Sequence, residues 1–219
     1  MAIGNQMNDG YKNFYVKLVG AKKGSKEVFF EFKTKTDGAY TVEQKASEYS
    51  GVCEKIELKP FTYEGREMKA IEIALRDDTE KHRYILSLGV NNISRGLLSS
   101  LDSLDEVSML KFVAFLGKNK KDEPQLIFLA YANGESKPTR WSHDMVGLFK
   151  EKVKQVVVNG DNVNDFTQLN DLFLNEVLPS VKAKINSLGQ GESHGAVEEV
   201  VEDKSEGADE EYDGQDLPF

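Results

Sequence analysis

At 219 residues, 39% hydrophobic and 10% aromatic, the chain has enough apolar side chains for one domain of ordinary size plus appendages. The single Cys53 excludes an intramolecular disulfide, and no apolar run reaches the roughly 18 residues of a membrane helix. The net charge of −9 argues at first against a nucleic-acid partner, but its distribution removes the objection. From Gly189 to Phe219 there are eleven acids and one base, Lys204, so the 37 acids and 28 bases of the whole chain leave 26 and 27 for residues 1–188. The body is near neutral, and the tail carries the net negative charge. Met1-Ala2-Ile3-Gly4 fits neither a signal peptide nor a myristoylation site, so a soluble cytoplasmic protein is expected.

In chain order, residues 1–49 read as an N-terminal extension with one or two strands. One is the apolar island Tyr11, Phe14, Tyr15, Val16, Leu18 and Val19; the other runs from Val28-Phe29-Phe30-Glu31-Phe32 to about Thr36, before a polar linker. Val52, Ile56 and Leu58 then share one parity, with Lys55, Lys59, Phe61 and Tyr63 on the other, as in a half-buried strand. Glu64-Gly65 marks a turn. Lys69–Leu75 places Ile71, Ile73 and Leu75 on one face, and Asp77-Asp78-Thr79-Glu80 turns into His82–Val90. The period changes at Ile93, Leu97, Leu98, Leu101 and Leu104, which predict a helix capped by Asn91 or Asn92. Strands over Val107–Leu116 and Gln125–Ala132 follow, joined by the turn Gly117–Pro124.

Residues 50–132 thus run β-β-β-α-β-β. The fold class is mainly β, and this is the element order of an OB-fold, a Greek-key barrel whose face and loops bind oligonucleotides. A generic antiparallel barrel or sandwich would also fit the order. Residues 133–188 form a helical region, predicted over His143–Lys154 and Asp165–Leu188. The stripe Phe166, Leu169, Leu172, Phe173, Val177 and Val181 packs on the barrel or on a second copy, and Pro179 kinks or divides the second helix. Residues 189–219 hold too few apolar side chains to offset the entropy of ordering, so a disordered acidic tail is expected.

No motif for catalysis emerges. His82, His143 and His194 are scattered and join no cysteine cluster, which argues against zinc. Gly20-Ala21-Lys22-Lys23-Gly24-Ser25-Lys26 lacks the spacing of a phosphate loop. Asn159–Asp165 has the flavour of a calcium loop, but Val163 stands at a ligand position and a solvated turn is the better reading. No carboxylate pair stands out for acid–base work, so neither an enzyme nor a cofactor or metal is expected.

Single-strand binders combine a positive groove with aromatic rings on which bases stack. Lys55, Lys59, Phe61 and Tyr63 share the non-core parity of one strand, and Arg66 follows its turn; the plainer alternative is that the two rings pack under the C-terminal helices. Lys118, Lys120 and Lys121 make a phosphate-contacting finger or a solvated turn. Arg140-Trp141 holds the only tryptophan beside a cation, for stacking or for anchoring a helix.

The chain closes on Asp213-Gly214-Gln215-Asp216-Leu217-Pro218-Phe219 after the acidic run. This resembles the tail of bacterial and phage single-stranded DNA-binding proteins, which end in acids, an aliphatic-Pro pair and Phe. The resemblance implies that Asp216, Leu217, Pro218 and Phe219 bind partners, the Phe side chain entering a hydrophobic pocket. It also implies a protein that coats and protects single-stranded DNA during replication, recombination or repair. The late barrel, the helical region after it and the short linker depart from the usual bacterial layout and look more like a divergent phage-encoded relative. That departure leaves the oligomeric state open between monomer and dimer. The alternative function is an interaction adaptor whose barrel binds protein.

Overall fold

The computed structural model describes residues 10–20, 29–63, 65–118, 122, 124–158 and 161–185. The tail from residue 186 onward lies outside them, as do Lys120 and Lys121. Eight strands form one curled sheet in the order β3-β2-β1-β6-β5-β4-β7-β8. They are β1 (Lys12–Val19), β2 (Phe29–Thr36), β3 (Ala39–Ala46), β4 (Glu48–Tyr63), β5 (Arg66–Asp77), β6 (His82–Gly89), β7 (Met109–Lys118) and β8 (Pro124–Ala132). Every neighbouring pair is antiparallel except β1 and β6, which run parallel with Tyr15 opposite Ile85. The curl brings the Phe30 ring of β2 to within 6.2 Å of the Phe128 ring of β8. The architecture is a half-barrel.

Alternation decides which side chains fill it. Phe14 and Val16, Phe30 and Phe32, Ile71, Ile73 and Leu75, and Leu86 and Leu88 point inward from neighbouring strands. Tyr49 sits at the centre and meets Phe30, Phe32, Tyr84 and Phe112 edge to face. One bulge corrects the sequence reading of β4. The register slips between Cys53 and Lys55, so Tyr49, Gly51 and Cys53 face inward before it, and Ile56 and Leu58 after it. Val52 therefore does not share a face with Ile56, although both are even-numbered.

The N-terminal segment also differs from an appendage. β1 inserts beside β6, and the polar linker expected after Thr36 is strand β3. Asp37 and Gly38 both take positive φ (52° and 84°), as a two-residue hairpin turn requires.

The helix after β6, α1 (Asn92–Asp102), begins at Asn91. The Asn91 side chain accepts from the Ile93 and Ser94 N–H groups, while the Ser94 hydroxyl accepts from the Asn91 N–H. After α2 (Met145–Lys152) the chain forms a hairpin of β9 (Lys154–Val158) and β10 (Asp161–Asp165) between the two expected helices, where the sequence suggested only a solvated turn. A helix follows as α3 (Thr167–Leu172), a π-helical turn over Phe173–Val177, and α4 (Leu178–Ala183), with Pro179 in the first turn of α4. The missing N–H of Pro179 explains the division there. Leu169, Phe173, Val177 and Val181 are buried within the chain, mainly against α1.

Asp102, at the end of α1, ties these parts together. It accepts from His143 Nε2 (3.1 Å), Ser180 Oγ (2.6 Å) and Lys184 Nζ (2.8 Å). Among the described residues no helix is long and apolar enough to cross a membrane.

Candidate nucleic-acid interface

β4 and β5 are the longest strands, and their joined end outgrows the core. From Lys59 through Met68 the described side chains are exposed, because no other strand or helix reaches that far along the hairpin. On its outer face Phe61 stands opposite Met68 and Tyr63 opposite Arg66. Phe61 is 41% exposed and Tyr63 43%. Two rings and a thioether are thus held in water beside a cation, and the alternative that the rings lie under the C-terminal helices is not what is seen.

The same face continues towards the core with Lys59 and Lys55, and here the charge is largely balanced. Lys55 pairs with Glu57 at 2.7 Å; Lys59 pairs with Glu57 at 3.2 Å and with Glu72 of β5 at 3.3 Å. Partial burial works to raise the Glu57 carboxyl, but hydrogen bonds from Lys55 and Lys59 outweigh it and hold the group below its ordinary value. Glu57 therefore stays ionised at neutral pH and neutralises much of the stripe.

Pairing adds residues that sequence reasoning missed. β5 and β6 present Ala70, Glu72, Ala74, Ile85, Ser87 and Gly89 to this face, a floor between β4 and β1 in which Glu72 and Ile85 stand among small residues. Tyr15 of β1 lies across it. Burial raises the Tyr15 phenol, Tyr40 adds to the rise, and Lys35, Glu72 and Lys59 contribute smaller effects of either sign. The Tyr15 and Tyr40 rings meet edge to face at 5.2 Å, and Lys35 Nζ sits 5.2 Å from the Tyr40 centroid. A second aromatic station with its own cation therefore stands across the floor from Lys59. Only the strand order could have revealed it, since Tyr15, Lys35 and Tyr40 are distant from Lys59 in sequence.

The remaining predicted residues fall elsewhere. Lys118 pairs with Asp122 at 2.7 Å. Arg140 and Trp141 belong to another surface, an apolar groove of about 570 Å³ between α1, β8 and α2, to which no β4 or β5 residue contributes. Trp141 is 60% exposed and lies over Gly96 of α1, where a Cβ would stand only 3.3 Å from its Nε1. It neither stacks with the aromatic hairpin nor sits buried as a helix anchor. Among the described residues no cluster of His, Cys, Asp and Glu could hold a metal ion. No family model matches the chain, and no curated protein or solved structure is significantly similar to it.

Proposed function

We propose that the chain is a single-stranded DNA-binding protein that coats exposed strands in replication, recombination or repair. Its tip, Asp216-Leu217-Pro218-Phe219, recruits partner proteins. The observation that carries the reading is the outer face of the β4–β5 hairpin, where Phe61, Tyr63 and Met68 stay in water beside Arg66. Rings held in water with a cation beside them suit bases stacked along a phosphate chain. The low floor of Ala70, Ala74, Ser87 and Gly89 beside Glu72 and Ile85, with the Tyr15–Tyr40–Lys35 station beyond it, suits a path for several nucleotides across β5, β6 and β1.

Strand pairing supports the finer fold reading. β4 lies between β5 and β7, β6 follows β5, and β8 follows β7, as in an OB-type barrel whose β6–β8 seam stays open. The acidic run and Leu217-Pro218-Phe219 suit partner recruitment: acids steer towards basic surfaces, and one aromatic anchor makes a compact hot spot. The test is fluorescence anisotropy with labelled oligo-dT and with duplex DNA of equal length. The single strand should be preferred, with affinity falling log-linearly as salt rises. Equal affinity for both at moderate salt would refute the proposal.

A further inference from the structure

β8 is the last strand of the sheet, and no described strand pairs with its outer side. The Ala130 carbonyl points to that side, since it accepts from the Thr139 N–H at 2.8 Å and from Thr139 Oγ1 at 3.0 Å. Backbone groups of an antiparallel strand alternate, and the β7–β8 register is unbroken, so the N–H and C=O of Phe128 and Leu126 point the same way. The segment at Thr139 satisfies one end of the edge and then leaves it, as the Ser142 N–H bonds to the Ser99 carbonyl of α1. The rest of the edge forms one wall of the apolar groove. The other walls are Ile93 and Leu97 of α1 and Met145, Val146 and Phe149 of α2.

Two features narrow what fits there. No charged residue occurs from Pro124 to Ala132, so the edge lacks the lysine guard that usually prevents strand addition. Among the described residues lining the groove Arg140 is the one charged side chain, it makes no ion pair with a described residue, and none of them is a carboxylate. A phosphate chain needs a row of cations, and the described lining offers Arg140 alone. A second copy would bring its own α1 and α2 walls, and two concave edges cannot interlock. A single extended segment can enter, with its backbone on β8 and alternate apolar side chains on the helical wall. Trp141, packed on Gly96 with most of its ring in water, stands at the rim as an aromatic anchor.

We propose that this groove binds an extended apolar peptide segment of a protein partner, which joins β8 as a ninth strand and sets an acidic residue against Arg140. The site is separate from the DNA-binding reading and does not rest on it. With the Ala130 carbonyl taken by Thr139, Leu126–Leu129 offers about 14 Å of edge, enough for four residues.

Trp141 is the only tryptophan, so its emission reports on the groove in the full-length chain. The probe is an acetylated, amidated peptide, Ser-Ile-Asp-Val-Phe-Val-Ser. Saturable binding with a blue shift of Trp141 is expected, at least about ten-fold weaker in Arg140→Glu as an attractive charge becomes repulsive. A copy of the peptide N-methylated at alternate residues, on the strand-pairing side, should not bind. Three results would overturn the proposal. One is no response at millimolar peptide, including the case where Trp141 is already blue-shifted because the chain's own residues fill the groove. Another is equal binding by the N-methylated copy or by Arg140→Glu. The third is displacement of the peptide by oligo-dT, which would make the groove part of a DNA path.

Discussion

Truncating both rings of the β4–β5 hairpin, as Phe61→Ala with Tyr63→Ala, should weaken single-strand binding without weakening the fold. Phe61 and Tyr63 are 41% and 43% exposed, which leaves less than half of each side chain open to solvent, room for a base on one side. Each can therefore stack one base. Base–aromatic stacking is worth about 1–3 kcal/mol, and a single open face argues for the lower half of that range. Two such losses give about 2–4 kcal/mol, or a Kd about 30- to 900-fold higher. Neither ring is part of the buried core, so the melting temperature should stay within the range of ordinary surface substitutions. Anisotropy with labelled oligo-dT at one fixed salt concentration measures the first quantity, and a circular dichroism melt the second. A Kd change below about three-fold with an unchanged melt would show that the DNA path lies on another face.

Three other outcomes follow from particular contacts. Glu57→Gln should strengthen single-strand binding about two- to five-fold at low salt, because it frees Lys55 from its carboxylate and leaves Lys59 paired with Glu72 alone; weaker binding would count against this face. Gly51→Ala should lower the melting temperature by several degrees, since its Cβ would stand 2.8 Å from the Arg76 carbonyl oxygen in the adjacent strand; an unchanged melt would show that β5 yields freely. Asp102 is held below the ordinary carboxylate value: burial opposes this, but Lys184, Ser180 and His143 outweigh it. Its contribution is then present above the unfolded value near 3.9 and is lost as pH falls through the lower folded value, so the urea stability gap between wild type and Asp102→Asn should be full at pH 7 and should close in acid.

The core strands were legible because burial imposes a period. β5, β6 and α1 each carry a one-sided apolar pattern, β7 and β8 are short apolar runs bounded by polar turns, and the Asn91 cap stands just before the periodic run. β3 has no such pattern, since seven of its eight side chains are exposed, so it read as linker although Asp37-Gly38 is a recognisable hairpin turn. The β4 bulge escaped because one extra residue reverses parity, and nothing near Glu54 marks the slip. The parallel pairing of β1 with β6 joins segments some seventy residues apart, which local patterns do not encode. For the candidate site, parity grouped Phe61 and Tyr63 with Lys55 and Lys59 but left open whether the rings were covered, which the reach of the β4–β5 hairpin beyond the core decides. The same parity placed Glu57 between Lys55 and Lys59, a signal that the stripe was partly neutralised and that the sequence reading passed over. Tyr15, Tyr40 and Lys35 required the strand order before they could be grouped.

That strand order also accounts for why two separate surfaces exist. A five-stranded barrel closes by pairing its third strand with its last, which here would join β6 to β8. β1 occupies the side of β6 where that pairing would form, and it brings β2 and β3 with it. Closure is then made only by side chains, of which the Phe30–Phe128 contact is one. The hydrogen-bonding groups that β8 would have spent on β6 are left facing α1 and α2, and apolar residues line the gap. On the opposite face the inserted β1 supplies Tyr15, and the β2–β3 hairpin supplies Lys35 and Tyr40, widening the aromatic surface beyond what β4 and β5 present. On the proposed OB-type reading, the placing of β1 beside β6 both extends the face proposed for a nucleic-acid strand and leaves open the edge proposed for a peptide. A variant that displaced β1 from β6 would alter both surfaces, whereas changes at Phe61 or at Arg140 alter one each.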